Sequence, residues 1–232
     1  MWRFALPVLK ISRDPRRPMT FRRADGPQNS RAGTTIGARM HERTNAPRLV
    51  PQEGGLMERA IGFALTSVQA VTPGMMSRRT PCASWDLEML LLHLRDSLAA
   101  LDDGIRHGRV DMLPEPPAPD EDPVSAVRVR AVRLLRASVS PRRVEVGDRH
   151  LGGDLMTAAG AIEVAVHGWD IAQASGRGTP IPAALADELL TVCPLVVPEP
   201  ARRPLFADPV EPAPDAAAGD RLVAFLGRSP LP

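Results

Sequence analysis

The chain has 232 residues, of which 44% are hydrophobic and 24% charged, with two cysteines and a formal net charge of +2. That composition excludes a disordered or fibrous chain, two cysteines exclude a disulfide-dense scaffold, and no stretch reaches the ~20 consecutive apolar residues of a membrane span. The small net charge hides a split: residues 1–50 carry ten arginines and Lys10 against three acids, a net +8, whereas residues 51–232 carry 18 arginines against 24 acids, a net −6.

An acidic body gives no electrostatic reason for nucleic-acid binding there. The basic segment admits three readings: an arm for RNA or DNA, a targeting peptide, or a leader without structural role. It lacks the apolar run and small-residue cleavage site of a secretory signal. Its only aromatics are Trp2, Phe4 and Phe21. Lys10 is the sole lysine and tyrosine is absent, a bias toward Arg, Ala, Pro and Gly that GC-rich coding produces even in an upstream frame. Residues 1–56 are therefore expected to be a disordered leader or an over-extended start, and residues 57–232 the domain proper, with a cytoplasmic location. On that expectation Met57–Pro232 folds alone, and its thermal melt stays within a few degrees of the full chain's. A larger drop means that the leader packs on the body, since ~1 kcal/mol moves the midpoint by roughly 2–4 °C at this size.

From Met57 to Thr72, Ile61, Leu65 and Val68 recur at three-to-four spacing, which predicts a helix ended by Pro73-Gly74. A second helix is predicted from Asp86 to His107, capped by Ser84 or Asp86 and stopped by Gly108. Leu87, Leu90, Leu91, Leu94, Leu98, Leu101 and Ile105 form its core stripe. Asp122-Pro123 opens a third helix, to Val139, with Val124, Val127, Ala131, Leu134 and Leu135 inward and Arg128, Arg130, Arg133 and Arg136 on a solvated face. Val144 and Val146 alternate with Glu145 in a short extended turn. A long uncharged helix then runs from Asp154 to Ser175, a fifth from Pro182 to Val197, and a short terminal one from Asp215 to Gly227. Long helices joined by short turns argue an all-α, antiparallel helix bundle.

Candidate chemistry centres on Glu163 and His167. Residues four apart lie on one helix face with Cβ atoms ~5–6 Å apart, so a carboxylate and an imidazole can grip one cation from the same side. Spacing alone is a weak signal, because Asp103 and His107 repeat it. Context separates the pairs. Glu163 and His167 sit among Ala159, Ile162, Val166 and Ile171, where bare charge is costly unless paired or metal-bound; Asp103 and His107 sit at a polar helix end that solvent satisfies. His93, mid-helix in LLLHL, supplies a third donor if the two long helices pack together. A His₂Glu set matches catalytic zinc sites, which keep an open position, and also suits Fe, Ni or Co. Asp170, three residues after His167, either orients that imidazole or caps and pairs elsewhere. Asp96 offers His93 the same choice. Trp85, Trp169 and Cys193 read as core, Cys82 as an inert thiol or a thiolate favoured by the helix start. Arg221 and Arg228 are cationic groups of undetermined direction.

These residues carry a resemblance. TPCASWDLEMLLLHL (Thr80–Leu94), EVAVHGWDIAQASG (Glu163–Gly176) and DRLVAFLGRSP (Asp220–Pro230) are similar to motifs of the mycothiol-dependent maleylpyruvate isomerase family, within the DinB/YfiT-like metal-binding helix bundles of actinobacteria. The resemblance spans roughly Met57 to Pro230. It implies a DinB-like antiparallel four-helix bundle with short peripheral C-terminal helices. It also implies a divalent metal, zinc first, on His93, Glu163 and His167, with mycothiol as thiol cosubstrate and a small electrophile as substrate. Residues 198–232 are shorter than the C-terminal domain of the isomerase proper, which argues against maleylpyruvate itself. The basic leader is not part of the family pattern. The function expected is a mycothiol-dependent thiol transferase or isomerase. The alternatives are a non-catalytic metal-binding bundle and a bundle whose polar trio is merely hydrogen-bonded.

Overall fold

The computed structural model describes residues 54–82, 85–111, 120–137, 143–147, 149–197 and 206–229, together with Pro116, Ala118 and Arg202. The expectation for the leader thus lies almost wholly outside the described residues. Helices dominate: α1 (Leu56–Val68), α2 (Leu87–His107), α3 (Pro123–Leu135), α4 (Gly153–Ala174), α5 (Ala183–Val196) and α6 (Ala218–Phe225). No described helix is long and apolar enough to cross a membrane.

Local chemistry sets the helix ends. Asp86 accepts a hydrogen bond from the Met89 amide at 2.9 Å, and Asp122 accepts one from the Ser125 amide at 2.9 Å, each satisfying an amide that the helix start leaves free. Gly108 closes α2 in the left-handed region at φ 67°, which a side chain disfavours. Helix α1 opens at Leu56, on the cap residue Gly55, and stops at Val68; a 3-10 turn at Pro73–Met75 then redirects the chain. Leu135, expected inward, is 39% exposed. It follows Leu134 by ~100° around the helix, which carries it off the buried stripe of Val127, Ala131 and Leu134.

Three short strands, absent from the all-α expectation, form one sheet: β1 (Arg109–Val110), β2 (Arg143–Val146) and β3 (Arg149–Gly152). β2 and β3 pair antiparallel, with Val144 opposite Leu151, and β1 joins β2 in parallel. The Val144/Val146 alternation is what buries one face of β2.

Helix α4 is buried on every side from Ala159 to Ala172 and packs against α1, α2 and α5, while α3 packs on α1 and α2 and α6 on α5. Directions follow from paired contacts. Arg95 bonds Glu121, just ahead of α3, at 2.7 Å, and Arg106 bonds the Arg133 carbonyl near its end at 2.8 Å, so α2 and α3 run the same way. Gly160 faces Met57 and Gly168 faces Ala64, so α1 and α4 run together. Leu101 of α2 meets Gly160, whereas His93 meets Glu163, so the two pairs oppose. The shared direction of α2 and α3 departs from simple antiparallel neighbours. Residues 108–122 between them are long enough, at ~3.3 Å per residue, to return along the ~31 Å of α2. Asp102, buried on α2, accepts from Arg106 Nε and Arg133 Nε at 2.6 Å each and ties α3 to α2.

Candidate metal centre

The site lies between α2 and α4. Apolar neighbours on both helices draw the polar trio inward: His93, Glu163 and His167 are each only 4–6% exposed. His93 Nε2 and Glu163 Oε1 are 2.6 Å apart, and His167 Nε2 lies 3.3 Å from the same oxygen. One donor atom from each of the three residues falls within 4.8 Å of the other two. The arrangement therefore brings together all three residues singled out by spacing and context. Ser97, one turn after His93, donates to Glu163 Oε1 at 3.1 Å. Its i+4 spacing from His93 was the available signal for it.

Asp170 does orient His167: its Oδ2 lies 2.9 Å from His167 Nδ1, which leaves Nε2 turned toward Glu163. Asp96 has no such role. It accepts instead from the Nε of Arg95 at 2.8 Å. Trp169 is core, as expected. Trp85 is not simply core: its ring stands 4.5 Å from the His93 ring and 6.0 Å from that of His167, so it walls the site. Arg228 bonds Asp170, and Arg221 bonds Asp187 at 3.1 Å.

Charge balance at this buried site sets the protonation states. Burial alone would raise the Glu163 carboxyl, but the His167 charge and hydrogen bonds from both imidazoles outweigh it and hold the carboxyl well below the usual range. Burial likewise opposes a charge on His167, yet Glu163 and Asp170 together raise it to about 9 in the metal-free protein. Cys82 is pushed up to about 11 by burial, with Arg228 pulling the other way, and burial raises Cys193 to about 12. Neither thiol is activated. Both are expected to react slowly with Ellman's reagent at pH 8 in the folded chain and at the rate of free cysteine after denaturation. Rapid labelling of one thiol in the native state would contradict this.

The donor set suits a divalent metal. Two imidazoles and one carboxylate match zinc, one imidazole is fixed by an outer carboxylate, and the three donor atoms converge. The other pair with this spacing joins no such cluster among the described residues: the His107 and Asp103 side chains are 63% and 44% exposed and 3.5 Å apart. His107→Ala should leave metal content unchanged in elemental analysis, since His107 lies fourteen residues, about 21 Å, along α2 from His93. Loss of metal in that variant would point to the wrong pair.

Residues 58–172 match the family described as the mycothiol maleylpyruvate isomerase N-terminal domain. The chain belongs to this family. The match to the mycothiol maleylpyruvate isomerase N-terminal domain takes in His93, Glu163 and His167 and stops well short of Arg228. Among curated proteins, the chain is 29% identical over 160 residues to Uncharacterized protein MT0763 of Mycobacterium tuberculosis (strain CDC 1551 / Oshkosh), covering 65% of this chain and 83% of the relative. Uncharacterized protein Rv0738 of Mycobacterium tuberculosis (strain ATCC 25618 / H37Rv) matches with the same identity and coverage.

Proposed function

We propose that His93, Glu163 and His167 hold one divalent metal ion, zinc by donor set, within a DinB-like four-helix bundle made of α1 to α4. On this reading the chain is a mycothiol-dependent thiol transferase or isomerase acting on a small electrophile in the cytoplasm, and the residues ahead of α1 are a leader outside the domain. The convergence of three buried donor atoms within 4.8 Å, in a chain of this family, carries the reading.

A bound zinc ion would supply Lewis acidity, lowering the pKa of a thiol in its open position so that a thiolate is available at neutral pH. The protein's own residues do the rest. Glu163 brings the negative charge that offsets the cation. His93 and His167 would each offer one ring nitrogen to the cation, giving up any proton on it, and Asp170 keeps the His167 ring in one orientation by accepting a hydrogen bond from Nδ1–H. Trp85 packs its ring against both imidazoles.

The test pairs elemental analysis of the purified chain with assays of mycothiol consumption against a panel of electrophiles that includes maleylpyruvate. Stoichiometric metal with thiol transfer or isomerisation supports the reading. Stoichiometric metal without turnover of any member favours the non-catalytic metal-binding bundle. A chain that takes up no metal leaves only the hydrogen-bonded trio.

A further inference from the structure

We infer that Arg228, on the turn that ends α6, is a positioning residue for the metal centre and acts through Asp170 on His167. The inference rests on the metal-site reading above and adds a residue outside the family match.

Backbone geometry fixes where Arg228 stands. Gly227 takes φ 77°, its amide bonds the Ala224 carbonyl at 2.9 Å, and the Arg228 amide bonds the Val223 carbonyl at 2.9 Å. This paired 5→2 and 6→1 pattern is the usual way a helix ends on a left-handed glycine. A side chain at position 227 would meet the backbone oxygens of Ala207 and Asp208 at 2.8 Å, so the turn has little room to change. The Arg228 side chain, only 11% exposed, leaves this turn and reaches α4. Its Nε lies 3.1 Å from both oxygens of Asp170, and its Nη1 donates to the Leu226 carbonyl at 3.3 Å.

Asp170 needs that partner. Its side chain is wholly buried, and a buried carboxylate with a single imidazole N–H as partner is costly. With Arg228 in place, Oδ1 is satisfied and Oδ2 is held where it accepts His167 Nδ1–H at 2.9 Å. That bond keeps a proton on Nδ1 and turns Nε2 toward Glu163, so Nε2 is the nitrogen that would meet a metal once its own proton has left. The relay Arg228–Asp170–His167 thus links the last helical segment of the described body to a donor atom of the trio. A residue that only anchored α6 would have no reason to meet both oxygens of the one carboxylate that orients a candidate ligand.

The experiment measures zinc affinity by competition with a chromogenic chelator in the full chain and in Arg228→Gln, Asp170→Asn and the double variant. Visible absorption of the cobalt-loaded proteins follows as a report on the ligand field. Loss of an outer partner of a ligand histidine costs about 10–100-fold in metal affinity. Arg228→Gln is expected to lose about tenfold, and the double variant no more than Asp170→Asn alone, because both substitutions free the same ring. The cobalt bands of Arg228→Gln should change in the same sense as those of Asp170→Asn. Unchanged zinc affinity with a lower melting temperature would overturn the inference and leave Arg228 as an anchor for α6. Losses that simply add would overturn it too. If Arg228→Gln fails to fold, the double variant against Asp170→Asn decides: equal affinity supports the relay, lower affinity overturns it. Failure of the parent chain to bind zinc overturns the metal-site reading and the inference together, whereas binding that ignores Arg228 overturns the inference alone.

Discussion

Replacing His93 or His167 by alanine, or Glu163 by glutamine, is expected to abolish stoichiometric metal binding and leave helical circular dichroism unchanged. Three protein donors make the proposed site, so each substitution removes one of three anchors. The loss should exceed the roughly 10–100-fold that follows from disturbing an outer partner. Glu163→Gln is the sharpest of the three because it keeps the shape and removes only the charge that offsets the cation. The fold should survive, since Leu87, Leu90, Leu91, Leu94, Leu98 and Leu101 are all essentially buried and supply the apolar packing without any ion. A modest fall in melting temperature remains, because each variant leaves a buried polar partner unsatisfied at about 1–3 kcal/mol. Metal-free parent protein should melt lower than the loaded form by an amount set by affinity and free metal. Metal-to-protein ratio and circular dichroism check all of this. Full metal in all three variants would move the site elsewhere, and metal loss with unfolding would make the ion structural and weaken the enzyme reading.

Gly168→Ala is expected to destabilise the chain by about 1–3 kcal/mol, whereas Gly160→Ala should be close to neutral. Both glycines lie on α4 where another helix comes close, and an alanine in a helix interior gains about 1 kcal/mol over glycine. What a new methyl group would meet differs. At 168 it would stand 2.9 Å from the Ala64 Cα, which is backbone and cannot turn aside without α1 leaving α4. At 160 it would crowd the tips of Leu101 and Met57, which have other rotamers to take up. Thermal melts separate the two outcomes, since ~1 kcal/mol corresponds to roughly 2–4 °C in a chain of this size. Equal shifts for the two variants would show that the α1–α4 approach is less rigid than the geometry implies.

Periodicity and end signals carried most of the helical reading. Asp86, Asp122-Pro123 and Gly108 mark helix ends by hydrogen-bonding and backbone preference, which act over three or four residues and so stand in the sequence itself. The trio was legible for a related reason: a carboxylate and an imidazole one turn apart, in an apolar stretch, must find partners once buried. Other features depend on distant contacts. An acid three residues from a histidine has two outcomes, and only packing decides that Asp170 meets His167 while Asp96 meets Arg95. The direction of Arg228 depends on how α6 docks. A two-residue strand such as β1 has no period to detect and exists only because β2 comes alongside. The common direction of α2 and α3 is set by the path of the chain between them, which residue pattern does not encode. Trp85 looked like core because a large aromatic beside a leucine-rich helix is core whether its neighbours are leucines or imidazoles.

The sheet leads into the N-terminal end of α4, and Glu163 and His167 lie farther along that helix. β3 runs directly into Gly153 at the start of α4, fourteen residues and about 21 Å along the helix from His167. Gly147, which follows β2, takes φ 60°. That separation makes the sheet a handle: a tag, dye or surface tether attached between β2 and β3 is set apart from the His167 donor. It suits immobilised formats in which metal is stripped and restored on one and the same population of molecules.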